Sequence, residues 1–218
     1  MTNSQQRFLA YAAHELRGEI TVQLALAEAT LADPNAGTVA LREMGEAVAA
    51  ACQRQVRLLE ALLTLARSEY ARLRREPIDL AAIAKDVLQA HDHCGLRTTA
   101  ALKPARTIGD PQLIERLVAN LVTNAVTHNH PGGRFEVSTS TEAGSAVFTI
   151  ANTGPVIPAG DVTRLFGPFQ RLAGRSANGV GLGLAIVQAI AHAHDATVTT
   201  QPRPCGGLVI DVAFPALD

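Results

Sequence analysis

The chain has 218 residues, of which 47% are hydrophobic and 18% charged, with a formal net charge of −1. That balance suits one or two globular domains with buried cores, and it gives no broad electrostatic pull toward nucleic acid or an anionic membrane. Cys52, Cys94 and Cys205 are odd in number and lack metal-ligand spacing, which fits reduced thiols rather than a disulfide framework.

No apolar run approaches the ~18–20 residues of a membrane helix, and no signal-peptide pattern precedes the first helix. Any sensing or membrane segment is therefore expected upstream of this chain, and the cysteine usage fits a reduced, cytosolic setting for these residues. The spacing predicts a first helix over 3–32, with Leu9, Ala13, Leu16, Ile20, Leu24, Ala27 and Leu31 three or four apart on one face. His14 lies one step off that stripe and is followed at once by Glu15. A lone helical histidine is ordinarily structural or solvated, so its meaning depends on the rest of the chain.

Asp33, Pro34, Asn35, Ala36 and Gly37 break the pattern. A second helix starts at Thr38, an N-cap residue. Leu41, Met44, Val48, Ala51, Gln55, Leu58, Leu62 and Leu65 form a heptad seam with one polar member, Gln55. Two long helices on a short loop make an antiparallel hairpin. A lone hairpin leaves its seams bare. Two copies cover them as a four-helix bundle, which predicts a homodimer; the alternative is that residues 76–218 cover them in cis.

Arg72, Arg74, Arg75 and Glu76 read as a charged hinge before Pro77. The expected division is 1–70 as the helical domain, 71–77 as the hinge and 78–218 as a mixed domain, an α+β chain overall. Within the mixed domain, helices are expected over 80–90, over 111–127 behind Asp110 and Pro111, and over 181–194. Strands are expected over 97–102, 106–108, 135–141, 146–151, 197–201 and 208–214. Residues 153–178 read as a loop around a short piece at 165–169.

Four islands in the second half carry chemistry. In NLVTNAVTHN, Asn120 and Asn124 are four apart and share a helix face. A carboxamide oxygen is a hard neutral ligand, suited to one position on Mg²⁺ whose other ligands are phosphates and water. In FTIANTGPVIP, a strand ends at Asn152, which can offer a hydrogen-bonding edge to a base, and Gly154 lets that base approach backbone. RLFGPFQRLAGRS places Arg171 and Arg175, both able to meet phosphate oxygens, in a segment holding Phe166 and Phe169. NGVGLGLAIV runs Gly179, Gly181 and Gly183, with Leu182 between the last two, directly into a helix. Its free N–H groups and dipole favour phosphate.

In this order and spacing the islands resemble the N, G1, F and G2 boxes of sensor histidine kinases, and AHELR at 13–17 resembles the family's H box. The resemblance covers about residues 7–214. It implies a dimerisation and histidine-phosphotransfer domain followed by an α/β-sandwich ATP-binding domain of the kind shared with gyrase and Hsp90. It implies that His14, beside Glu15, accepts the γ-phosphate of ATP with Mg²⁺ on Asn124, and that the receiver domain of a response regulator takes the phosphoryl group on an aspartate. It places Asn120, Asn124, His128, Asn152, Gly154, Arg171, Arg175, Gly179, Gly181, Leu182 and Gly183 around the nucleotide. His128 lines that site or is a helix C-terminal histidine favoured by the dipole.

Several positions depart from the family's pattern. Gly18 and Glu19 stand where many members have threonine and proline, which predicts weak phosphatase activity. Asn152 replaces the usual aspartate, Val156 a glycine and Thr127 a basic residue, which predicts weakened ATP binding. Two other readings stay open on sequence: a degenerate kinase acting as a dimeric signalling scaffold, and a gyrase- or Hsp90-like ATPase.

Overall fold

The structure, a computed structural model, describes residues 3–70, 74–167 and 181–217; within these, the side chains of 3–15, 54, 57, 60–70 and 159 are outside the described set. The chain divides into two compact units, one built on Met1–Leu62 and the other on most of the residues from Leu63 onward.

The first unit holds α1 (Asn3–Ala32) and the greater part of α2 (Thr38–Tyr70), as the two apolar stripes predict. Between them, the Asp33 carboxylate accepts from the backbone N–H of Asn35 at 2.8 Å, and the Asp33 carbonyl accepts from Ala36 at 3.1 Å. These bonds close a tight turn that ends the first helix. Ala51 and Leu58 of the seam are buried, while Ile20, Leu24, Leu31 and Leu41 stay exposed in the single chain. Among the described residues no helix is long and apolar enough to cross a membrane.

The second unit is a five-stranded sheet with helices packed on it. Its strands are β2 (Arg97–Leu102), β4 (Arg134–Glu142), β5 (Ser145–Asn152), β7 (Leu208–Pro215) and β6 (Thr197–Pro202), in that spatial order. The β2–β4 pair is parallel and the others antiparallel. Two further strands, β1 (Glu76–Asp79) and β3 (Arg106–Gly109), pair antiparallel beside this sheet. The helices are α3 (Leu80–Ala90), α4 (Pro111–Thr127) and α6 (Gly183–Ala193).

Alternation decides which face is covered. Ala146, Phe148 and Ile150 of β5, and Leu208, Ile210, Val212 and Phe214 of β7, are buried at every second position. Against them lie Leu117, Val118, Leu121 and Val122 of α4 and Ile186, Val187 and Ile190 of α6, all buried. This apolar layer fixes where α4 and α6 end, and so where their polar termini project.

Four elements differ from the sequence-based expectation. Glu76 and Pro77 already belong to β1, where proline is tolerated because the two-stranded ladder is an edge. The loop-like region contains α5 (Ala159–Val162) and a 3₁₀ turn at Thr163–Phe166. The last helix starts at Gly183 rather than 181, because Gly181 has a φ of 72°, outside the helical region. Asp110 caps α4 as expected, accepting from Gln112 and Leu113 at 3.1 and 3.2 Å.

Candidate functional site

The C-terminal half of α4 carries the first set of polar groups. Asn120 is held by its Nδ2, which donates to the Arg116 carbonyl at 2.8 Å. Its Oδ1 lies 3.6 Å from the place a side-chain carbon would take at Gly183, so α4 meets the first turn of α6 there. One turn on, Asn124 is half-buried, and its carboxamide bonds to no other described residue. Its backbone carbonyl accepts from His128, the C-cap of α4, at 3.0 Å. The His128 side chain is exposed.

Asn152 ends β5 beside this helix terminus. It pairs with Phe135 and is 7% exposed. Its Nδ2 donates to the Thr153 carbonyl at 2.8 Å, while Oδ1 bonds to no other described residue. The amide is thereby oriented with its oxygen as the remaining group. Gly154 follows, and a side-chain carbon there would lie 2.6 Å from the His128 carbonyl oxygen. Only glycine lets the turn after β5 come this close to the end of α4. The Pro155 carbonyl then accepts from the Gly207 N–H at 2.9 Å, so the β6–β7 turn supports the same segment.

The structure therefore brings together Asn120 with Gly183, and His128 with Gly154 and Asn152. Gly181 and Leu182 precede α6, with Leu182 its buried N-cap. Arg171, Arg175, Gly179 and Phe169 lie outside the described residues, as do the side chains of His14 and Glu15, whose backbone is within α1. Phe166 closes the 3₁₀ turn.

The donor set fits a magnesium nucleotide. An amide oxygen on Asn124, bonded to no described neighbour, suits a hard cation. A buried amide oxygen on Asn152, bonded to no described neighbour, suits an exocyclic amino group. Backbone N–H groups at the start of α6 suit phosphate.

Two residues of the site were not singled out from the sequence. Asn129 and Thr153 bond to each other at 2.7 Å, across the gap between the end of α4 and the turn after β5. Both fall inside islands quoted for their neighbours. Nothing in the sequence pairs two residues 24 apart.

A further histidine, His194, caps the C-terminus of α6 and is 2% exposed. Its Nδ1 donates to the Ile190 carbonyl at 2.8 Å, and its Nε2 accepts from the Asp110 N–H at 3.0 Å. Burial holds its pKa below the ordinary value, and the nearby Arg75 charge acts in the same direction; the Ile190 bond and the Asp110 and Asp195 carboxylates oppose them.

Comparison with known proteins bears on both units. The model of the histidine kinase-, DNA gyrase B- and HSP90-like ATPase matches residues 109–218, and that of the His Kinase A (phospho-acceptor) domain matches residues 4–71. Sensor protein CutS of Streptomyces coelicolor is 42% identical over 220 residues, covering 97% of this chain and 53% of CutS. The chain thus spans about half the length of this curated relative. The histidine kinase AdeS of Acinetobacter baumannii superposes with a TM-score of 0.72 at 25% identity, over 94% of this chain and 98% of that one. Histidine kinase ThkA, solved in complex with response regulator protein TrrA, has a TM-score of 0.74 at 20% identity, over 99% of this chain and 64% of that one; this is a likeness of fold.

Proposed function

Because the chain belongs to the sensor histidine kinases, joining a phospho-acceptor domain to a histidine-kinase-type ATPase domain, we propose that it phosphorylates its own His14 from ATP. In this reading residues 1–70 form the dimerisation and phosphotransfer domain, 71–77 the hinge and 78–218 the ATP-binding domain. Two copies pair through the helical hairpins. The exposed Ile20, Leu24, Leu31 and Leu41 support that pairing, because apolar residues at seam spacing otherwise remain in water.

The observation that carries the proposal is that α4 meets both the C-terminal end of β5, the central strand, and the start of α6. There the Asn152 oxygen accepts from the adenine amino group. Asn124 would supply one ligand to Mg²⁺, which when bound would offset charge on the phosphates. The N-terminal N–H groups of α6 receive phosphate oxygens, with Arg171 and Arg175 as further partners.

His14 must be neutral for one ring nitrogen to attack the γ-phosphorus in line. The new N–P bond forms as the bond from γ-phosphorus to the β-phosphate oxygen breaks, and ADP leaves. Glu15 orients the ring or takes the proton from its other nitrogen. The phosphoryl group then passes to an aspartate of a response-regulator receiver domain. ThkA is known in complex with such a partner. Gly18 and Glu19, at the positions where threonine and proline are usual, predict weak phosphatase activity. In this reading the kinase residues work on the cytoplasmic side.

Incubation with γ-labelled ATP and Mg²⁺ tests the proposal. The label is expected to be acid-labile and to disappear in His14→Gln. Label that survives this substitution would move the acceptor elsewhere.

A further inference from the structure

Asn129 is the first residue beyond the C-cap of α4, and its carboxamide is used in full. Nδ2 donates to the Ala125 carbonyl at 3.1 Å and to the Arg134 carbonyl at 3.0 Å. Oδ1 accepts from the Thr153 hydroxyl at 2.7 Å and from the His130 N–H at 3.0 Å. Two donors and two acceptor sites are all that an amide has. No carboxylate or shorter alcohol reproduces that set.

Thr153 is bound as firmly. Its hydroxyl oxygen accepts from the Arg134 N–H at 2.9 Å, and its own N–H donates to the Arg134 carbonyl at 2.9 Å. The hydroxyl has one proton, and the shorter of its two acceptors is Asn129 rather than the Arg134 carbonyl at 3.1 Å.

The position of this pair gives it consequence. Asn129 continues the helix end that holds Asn124 and His128. Thr153 stands between Asn152 and Gly154. Asn129 and Thr153 are half-buried, and a network in which each amide atom is satisfied favours one geometry, because any other gives up the part-buried bonds to Ala125 and between the pair.

We propose that Asn129 and Thr153 are positioning residues for the nucleotide: their shared hydrogen bond sets the separation between Asn152, which reads the base, and Asn124, which takes the metal. This rests on the ATP-binding reading above. Neither residue touches the reacting atoms; each acts through a neighbour. The pair therefore governs affinity and base selectivity together.

The test compares Thr153→Val, Thr153→Ser, Asn129→Ala and the double variant Asn129→Ala/Thr153→Val in the full chain. Displacement titrations measure the affinity for ATP and for GTP in the presence of Mg²⁺, alongside thermal unfolding without nucleotide. Thr153→Val keeps the volume and removes the hydroxyl; it is expected to weaken ATP binding about tenfold and to lower the ATP-over-GTP preference, the size of effect that loss of one strong hydrogen bond gives. Thr153→Ser is expected to restore both to within about twofold, since the hydroxyl is the group at issue. The double variant is expected to be no weaker than the poorer single variant, the mark of a shared interaction. A folded Thr153→Val that binds ATP and discriminates against GTP like the parent overturns the proposal. So does loss of folding in both single variants, which would make the pair a stability element. Failure of the parent chain itself to bind ATP would instead remove the reading on which the pair's role rests.

Discussion

At Asn152 an amide stands where the family's pattern has a carboxylate, and the difference is one atom with two consequences. The Nδ2–Thr153 bond leaves the oxygen facing whatever occupies the site. That oxygen is a neutral acceptor, and hydrogen bonds to charged groups contribute more, about 1.5–3 kcal/mol against about 1. Asn152→Asp is therefore expected to tighten ATP binding about threefold to tenfold while lowering the stability of the free protein, because the carboxylate loses the bond to Thr153 and is nearly buried. Calorimetry of ATP binding and thermal melting read the two effects separately. Affinity that stays equal or falls would show that the base is not read through this atom.

At the scale of elements, His194 ties the end of α6 to the start of α4. Its Nε2 already accepts from the Asp110 N–H, so a proton there would set two donors against each other. The folded pKa is lowered, so the folded state binds fewer protons than the unfolded chain near the transition. The stability from this contact is fully present above the ordinary value of 6.5 and is lost as pH falls from there through the folded value. Melting temperature measured about one pH unit above and about one below that value should drop in the parent chain, and drop less in His194→Gln. A parent curve flat across that window would contradict this.

The helices and strands around this contact were legible in the sequence because their apolar periodicity is long and their caps are local. Asp110 with Pro111 marks a helix start without reference to any other part of the chain. The alternation in 146–151 and 208–214 marks two half-buried strands in the same way. As candidate site residues, Asn120, Asn124, Asn152 and Gly154 stood out through spacing and through the resemblance of the islands. His194, Asn129 and Thr153 did not, since each acts through a partner distant in sequence that only the fold supplies. Likewise, β1 exists because β3 is there to pair with it. Gly181, read as the first helical residue, stays outside α6 because of its positive φ.

At the scale of the molecule, the phospho-acceptor match over residues 4–71 sets the chain apart from gyrase- and Hsp90-like machines, which need no acceptor helix. The hairpin's bare seam carries a prediction of its own. Leu24 is 57% exposed in the single chain. If it is buried against a second copy, Leu24→Glu loses the roughly 1.5–3 kcal/mol of a buried leucine in each subunit and adds a buried charge. The variant is expected to sediment as a monomer and to keep its ATP affinity, because the groups proposed to bind the nucleotide all lie beyond residue 78. A variant that remains dimeric would place the interface elsewhere.

The kinase reading itself requires that the nucleotide bound by the C-terminal domain be the donor for the histidine of the N-terminal helix. Mass spectrometry of the intact chain and its peptides, kept alkaline after incubation with ATP and Mg²⁺, measures this directly. The expected result is a single phosphoryl adduct on His14, absent from Asn124→Ala although that variant still forms the dimer. An unmodified His14 in a chain that binds ATP, or an adduct undiminished in Asn124→Ala, would contradict it.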